Sequence, residues 1–249
     1  MYDRVADHLV RKLKGILFHA GPLYFRITPI MPAHHADTLI IGAGAAGLMC
    51  AITAAQRGRR VTVLERSNKV GKKILMSGGG RCNFTNLHIS PDRFLSANPH
   101  FCKSALSRYT QWDFIDLVEK HGIEYFEKKT VNGLSGQLFC RESSKQIVAA
   151  LLNECQEAGV EVITQCDTAK ILQNNGFHLE GNKGTFSAET LVVASGGLSV
   201  PSLGGSGYGY QLAEQYGLRQ LPLTAGLVPF TLTGALHDLF ARLSGVTCE

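Results

Sequence analysis

Two glycine-rich turns, Gly42-Ala-Gly-Ala-Ala-Gly47 and Ser77-Gly-Gly-Gly80, set the terms for any fold this chain can adopt. The first follows a short apolar run, Thr38-Leu-Ile-Ile41, and opens a stretch of small residues from Gly44 to Gln56 that Gly58 closes. An apolar run ending in glycine reads as a strand buried on both faces, and the small-residue stretch reads as a helix. Arg60-Val-Thr-Val-Leu-Glu65 then returns as a second strand ending in an acid. That is a βαβ unit. In Gly42-x-Gly44-x-x-Gly47 the first glycine permits the tight turn and the second lets a pyrophosphate approach the backbone. The third lets helix pack on strand, with the helix N-terminus facing the phosphates. Glu65, at the end of the second strand, is placed to bond ribose hydroxyls. An acid at that position favours FAD or NAD over NADP, although the adjacent Arg66 softens the distinction.

The second turn separates a flavin from a nicotinamide. A plain NAD domain has no need of another glycine-rich, basic loop so soon after the acid, whereas a tightly held FAD must also have its ribitol and ring wrapped. Consecutive glycines, Gly80 among them, indicate backbone approaching something closely. Lys72, Lys73, Arg81 and Asn83 supply donors for phosphate or ring oxygens. Solvated surface is the competing reading for the lysines. Cys82 sits in this loop with no other cysteine within 18 residues, so it reads as a packed residue and not as half of a redox dithiol.

Further along, helices are expected at Trp112–Lys120 and Ser143–Ala158, with a strand at Val160–Thr164. Phe177–Glu180 and Thr185–Ser187 flank Gly181-Asn-Lys-Gly184 as a hairpin. Thr190–Ala194 reads as another fully buried strand, running into Ser195-Gly-Gly197, and a helix lies near Tyr210–Tyr216. His34-His35 are expected to precede the first strand. Residues 1–35 share none of this periodicity and read as an N-terminal extension, either an over-long reading frame before Met31 or an accessory helix at Val5–Lys14. Residues 36–222 form the dinucleotide-binding domain. Residues 223–249 turn loop- and strand-like, as the start of a β-rich inserted domain.

Several function classes drop out of the composition. The net charge is +5, of which the first 35 residues carry +3, so the rest is nearly neutral and no nucleic-acid partner is expected. Seven irregularly spaced cysteines fit a reducing, cytoplasmic setting and neither a disulfide framework nor a structural zinc site. No metal is expected. No run reaches the roughly 18 apolar residues of a membrane span.

These motifs, together with Gly136-Gln-Leu-Phe-Cys140, Ala194-Ser-Gly-Gly-Leu-Ser-Val-Pro201, Gly207-Tyr-Gly-Tyr210 and Ala225-Gly-Leu-Val-Pro-Phe230, resemble one family. It is that of the aminoacetone-oxidase-type, bile-acid-4,6-reductase-like NAD(P)/FAD-dependent oxidoreductases. The resemblance runs from about Asp37 to Glu249 and implies an α/β, Rossmann-like FAD-binding domain, with a parallel sheet, helices and a β-hairpin. It also implies that Gly42, Gly44, Ala46 and Gly47 hold the FAD pyrophosphate and Glu65 the adenosine ribose. Arg81 and Asn83 would lie beside phosphate and ribitol, Gly196 would belong to the family's Ala-Thr-Gly segment, and Ala169 would offer an adenine backbone contact. Lys128–Ser135 is longer than the family's usual link. The family continues through an inserted domain and a returning strand and helix that this sequence does not contain.

The expected activity is therefore flavin-mediated hydride or electron transfer to a small molecule, with NAD(P)H as a candidate donor and no side chain marked as acid or base. Two alternatives stand beside it: a truncated, catalytically silent nucleotide-binding fragment, and an NAD-dependent enzyme without flavin.

Overall fold

In the computed structural model, residues 33–130, 133–226 and 231–243 are described. The expected helix at Val5–Lys14 and the body of the Leu227–Leu232 run lie outside them. The first strand, β1, covers Ala33–Ile41 and is followed by helix α1, Ala45–Gln56, and strand β2, Val61–Leu64. Glu161–Ile163 (β6) and Gly184–Val193 (β9) complete a parallel set. Thr168–Gln173 (β7) and Phe177–Gly181 (β8) join it antiparallel, giving the order β6-β2-β1-β9-β8-β7.

Register explains the apolar run at the head of the chain. Ile41 pairs with Leu64 on one side and with Val193 on the other, while Leu64 pairs with Ile163, so four parallel strands end at one level. With both neighbours present, successive residues of β1 feed opposite faces. Ile40 joins Leu48, Ile52, Ile147 and Leu151 beneath α1 and α5, the helix Lys145–Glu157. Leu39 and Ile41 join Leu179, Phe186 and Leu212 on the other face, where Leu212 comes from α6, Tyr208–Gln215. The α/β architecture with a mostly parallel sheet is as expected, and so is the β8–β9 hairpin with Asn182-Lys183 at its turn.

The rest differs in instructive ways. His34 and His35 lie inside β1, because pairing with β9 begins at Ala33↔Thr185, and the His34 ring stacks 4.8 Å from Phe186. Thr185–Ser187 and Thr190–Val193 are one strand, and its C-terminal half is not fully buried. Val193 is exposed, and Leu191 and Val192 are only partly buried against the two core clusters.

A second sheet, absent from the expectations, has the order β3-β5-β4 and is built from Asn83–Asn86 (β3), Tyr125–Thr130 (β4) and Gly133–Cys140 (β5). The long link at Lys128–Ser135 is the end of the β4–β5 hairpin. Three short or medium helices precede β4: α2 (Lys72–Met76), α3 (Lys103–Arg108) and α4 (Gln111–Lys120). Thr110 and Asp113 close α4 with a reciprocal capping box, which sets its start one residue before the expected one. In the described part of residues 223–249 the chain forms helix α7, Ala235–Arg242, which the sequence reading had not singled out. Leu236, Leu239 and Phe240 recur there at helical spacing. No helix among the described residues is long and apolar enough to cross a membrane.

Candidate dinucleotide site

Because β1, β2 and β9 end together, the turns that follow them converge. They enclose a cavity of about 650 Å³, within the usual span for small-molecule sites. Gly42–Ala46 form one wall, Glu65–Ser67 the next, and Lys72 and Lys73 of α2 a third. Cys166–Thr168 and Ala194–Gly196 close the far side, and Pro201–Gly204 with Tyr208 lie across it.

The turn after β1 is shaped by contact, not by sequence habit. Gly42 sits at φ 106°, and a Cβ there would lie 2.5 Å from the carbonyl oxygen of Ala194. A Cβ on Gly47 would lie 1.9 Å from the oxygen of Gly42, so the third glycine is what lets α1 press against the turn. Gly44 is different: nothing lies within 4 Å of where its Cβ would be, and that open space belongs to the cavity. Gly44 caps α1 without a side-chain hydrogen bond, and the first turn contains no acid. The helix therefore presents uncapped N–H groups and its positive end to the cavity, an environment suited to phosphate.

Glu65 ties two walls together. Its Oε2 accepts from the Ala43 N–H at 2.9 Å and its Oε1 from the Ser67 N–H at 2.7 Å. Lys73 Nζ donates to Ser199 Oγ at 3.1 Å, bridging α2 to the loop after β9. Tyr208 and Thr168 hydroxyls meet at 3.1 Å on the opposite wall. Ser195 Oγ, in the cavity lining, is buried without a partner. An orphaned hydroxyl, a cradle at Gly44 and an uncapped helix end all suit a polar, anionic ligand with ribose hydroxyls. Val200, in the loop over the cavity, holds φ 51°, a strained conformation for a β-branched residue.

Of the residues expected to bind cofactor, the structure gathers Gly42, Gly44, Ala46, Glu65, Arg66, Lys73 and Gly196 around this cavity. Gly47 stands behind the turn as packing. Ala169 follows Thr168 in β7, one residue beyond that wall. Gly80, Arg81 and Asn83 do not line the cavity. The close approach expected of the glycine run is to the chain itself: a Cβ on Gly78 would lie 2.6 Å from the Asn83 nitrogen and 2.8 Å from the Phe139 ring. The Gly80 carbonyl accepts from the Ser144 N–H, Arg81 lies over the Phe126 ring at 5.8 Å, and Asn83 pairs with Phe139 in β3. Cys82 is buried, and burial pushes its thiol above the ordinary range, as suits packing. Sequence reasoning missed Ser67, Asp167, Thr168, Ser195 as a lining residue, and the Pro201–Gly204 segment. The Ser195 signal was its place directly after a parallel strand. Among the described residues no cluster of His, Cys, Asp and Glu is arranged for a metal ion.

Comparison with known proteins agrees with this architecture. Glycine oxidase from Geobacillus kaustophilus superposes with a TM-score of 0.50 at 19% identity, over 75% of this chain and 59% of that one, which speaks for the fold. An Escherichia coli protein named ribosomal RNA dihydrouridine synthase is 53% identical over 84% of this chain and 52% of its own length. A Clostridium scindens protein named 3-dehydro-bile acid delta(4,6)-reductase is 30% identical over 84% of this chain and 50% of its own. The chain thus spans about half the length of the curated relatives it matches. The E. coli relative's name includes ribosomal RNA, so the exclusion of nucleic acid drawn from net charge loses its support. The family described as the HI0933-like protein Rossmann domain matches residues 36–233, and the chain belongs to that family.

Proposed function

We propose that this chain carries the dinucleotide-binding part of an FAD-dependent oxidoreductase that reduces uridine in ribosomal RNA to dihydrouridine. The observation that carries the cofactor reading is the cavity at the common ends of β1, β2 and β9, with an uncapped helix N-terminus facing Glu65. The substrate reading rests on the identity to the E. coli relative, well above that to the bile-acid reductase.

In this reading the Gly42–Gly47 turn and the α1 N–H groups hold the pyrophosphate, and Glu65 accepts from the ribose hydroxyls. Arg66 and Lys73 supply positive charge at the cavity edge, Ser195 Oγ gains the partner it lacks, and the Pro201–Gly204 segment shields the site from water. FAD bound here, once reduced by a nicotinamide, would supply the hydride for the uracil 5,6 double bond, and solvent would supply the accompanying proton.

The test has two stages. Purified protein mixed with FAD is expected to keep flavin absorbance through gel filtration; protein that stays colourless overturns the cofactor reading and favours a catalytically silent fragment. Ribosomal RNA from cells lacking the gene is then incubated with the flavin-loaded protein and NADPH. A gain of two hydrogens on one uridine, seen by nucleoside mass spectrometry, is the expected result. Flavin-loaded protein that reduces an unsaturated small molecule but leaves the RNA unchanged would sink the substrate reading alone.

A further inference from the structure

The segment from Pro91 to Tyr109 contributes nothing to either core cluster and touches no wall of the cavity. It is nonetheless ordered by its own bonds. The Cys102 thiol donates to the Pro91 carbonyl at 3.8 Å, closing the loop that precedes α3. Turns at Phe94 N–H to Pro91 O (3.2 Å) and Phe101 N–H to Asn98 O (3.1 Å) fold what lies between. A compact loop with joined ends ordinarily packs its own side chains inward. Here the large side chains are outside: Leu95 is fully exposed, Phe101 is 78% exposed, and Phe94 and Tyr109 are exposed as well.

Between these apolar groups stand Arg93, His100, Lys103 and Arg108, all exposed. The segment's one acid, Asp92, is engaged by Ser90 Oγ at 2.5 Å. Outside the N-terminal 35 residues the chain is nearly neutral, yet this short segment, a loop leading into α3, carries three cationic side chains beside bare aromatic rings. Rings that offer a face to successive bases, beside cations that meet the phosphates, are what binding of single-stranded nucleic acid requires.

We infer that residues 91–109 form an arm that holds single-stranded RNA, stacking unpaired bases on Phe94 and Phe101 while Arg93, Lys103 and Arg108 meet the backbone. The inference rests on the ribosomal-RNA reading for its choice of nucleic acid. It adds to that reading a surface remote in sequence from the dinucleotide turns.

The test uses the full chain and a fluorescent oligouridylate, with binding followed by anisotropy over a range of salt. Wild type is expected to bind, with affinity falling linearly against salt on logarithmic axes. Phe94→Ala with Phe101→Ala should weaken binding about a hundredfold while leaving the salt slope unchanged, since each stacked base is worth about the 1.4 kcal/mol of a tenfold change. Arg93→Gln, Lys103→Gln and Arg108→Gln together should lower the slope by about 2, at roughly 0.7 per neutralised phosphate on a single strand. FAD uptake serves as the folding control, since none of these residues lines the cavity. Wild type that does not bind the probe, or variants that bind it as wild type does, overturns the inference. So do variants that change self-association but not RNA binding. The arm fails alone if dihydrouridine forms equally with wild type and variants; the functional reading fails alone if RNA binds through the arm and no uridine is reduced.

Discussion

At the scale of the residue, Gly47 shows how far a spacing rule can be trusted. The motif identified it, but its task here is to leave room for the Gly42 carbonyl, 1.9 Å from where a Cβ would stand. Gly47→Ala must push α1 away from the turn, and overpacking of this kind costs about 1–3 kcal/mol. The expected outcome is a melting temperature lower by several degrees and a loss of FAD uptake, read by calorimetry and absorbance on one preparation. Gly44→Ala should leave the melting temperature of the free protein unchanged, because its Cβ enters open space, and should impair cofactor uptake alone. A pair that behaves alike in both assays would contradict this division of labour.

Between elements, the decisive contacts were those that no local pattern announces. Glu154 of α5 is 6% exposed, and it accepts from Lys120 Nζ at 2.5 Å and from His121 Nε2 at 2.6 Å at the end of α4. The Lys120 hydrogen bond, outweighing the opposing effect of burial, holds the Glu154 carboxyl below its ordinary range. A carboxyl lowered in the folded state contributes stability that is full above its unfolded value and is lost as pH falls through the folded one. Glu154→Gln is therefore expected to cost about 1–3 kcal/mol near neutral pH, by urea unfolding, and the difference from wild type should close in acid below about pH 4. A constant difference across pH would place its origin in packing.

The same distinction governs what could be read from the sequence. β1, α1, β2 and the β8–β9 hairpin were legible because each is fixed by a local signal: an apolar run, a glycine turn, or an Asn-Lys turn between strands. The β3-β5-β4 sheet was not, since Asn83–Asn86 becomes a strand only by pairing with a segment some fifty residues on. Nor was the exposure of Val193, which depends on what fails to cover β9. In the site, Glu65 and the first turn were legible from spacing. Thr168 and the Pro201–Gly204 segment were not, because they reach the cavity through topology.

The described residues are organised by one alignment, the shared level at which four parallel strands stop, and the candidate site lies at that edge. Glu65 is the piece that keeps the edge in shape. A carboxylate has about four acceptor positions, and the Ala43 and Ser67 amides fill two of those on Glu65, which leaves about two for other donors. In the proposed reading two ribose hydroxyls would be received without either amide being released, an arrangement that would give up little order on binding. Glutamine has a single oxygen and would turn an NH₂ toward one of those two amides. Glu65→Gln should therefore quicken hydrogen exchange at Ala43 or Ser67 before any cofactor is added. A residue placed there by motif to greet a ligand is equally the latch that ties the turn after β1 to the turn after β2.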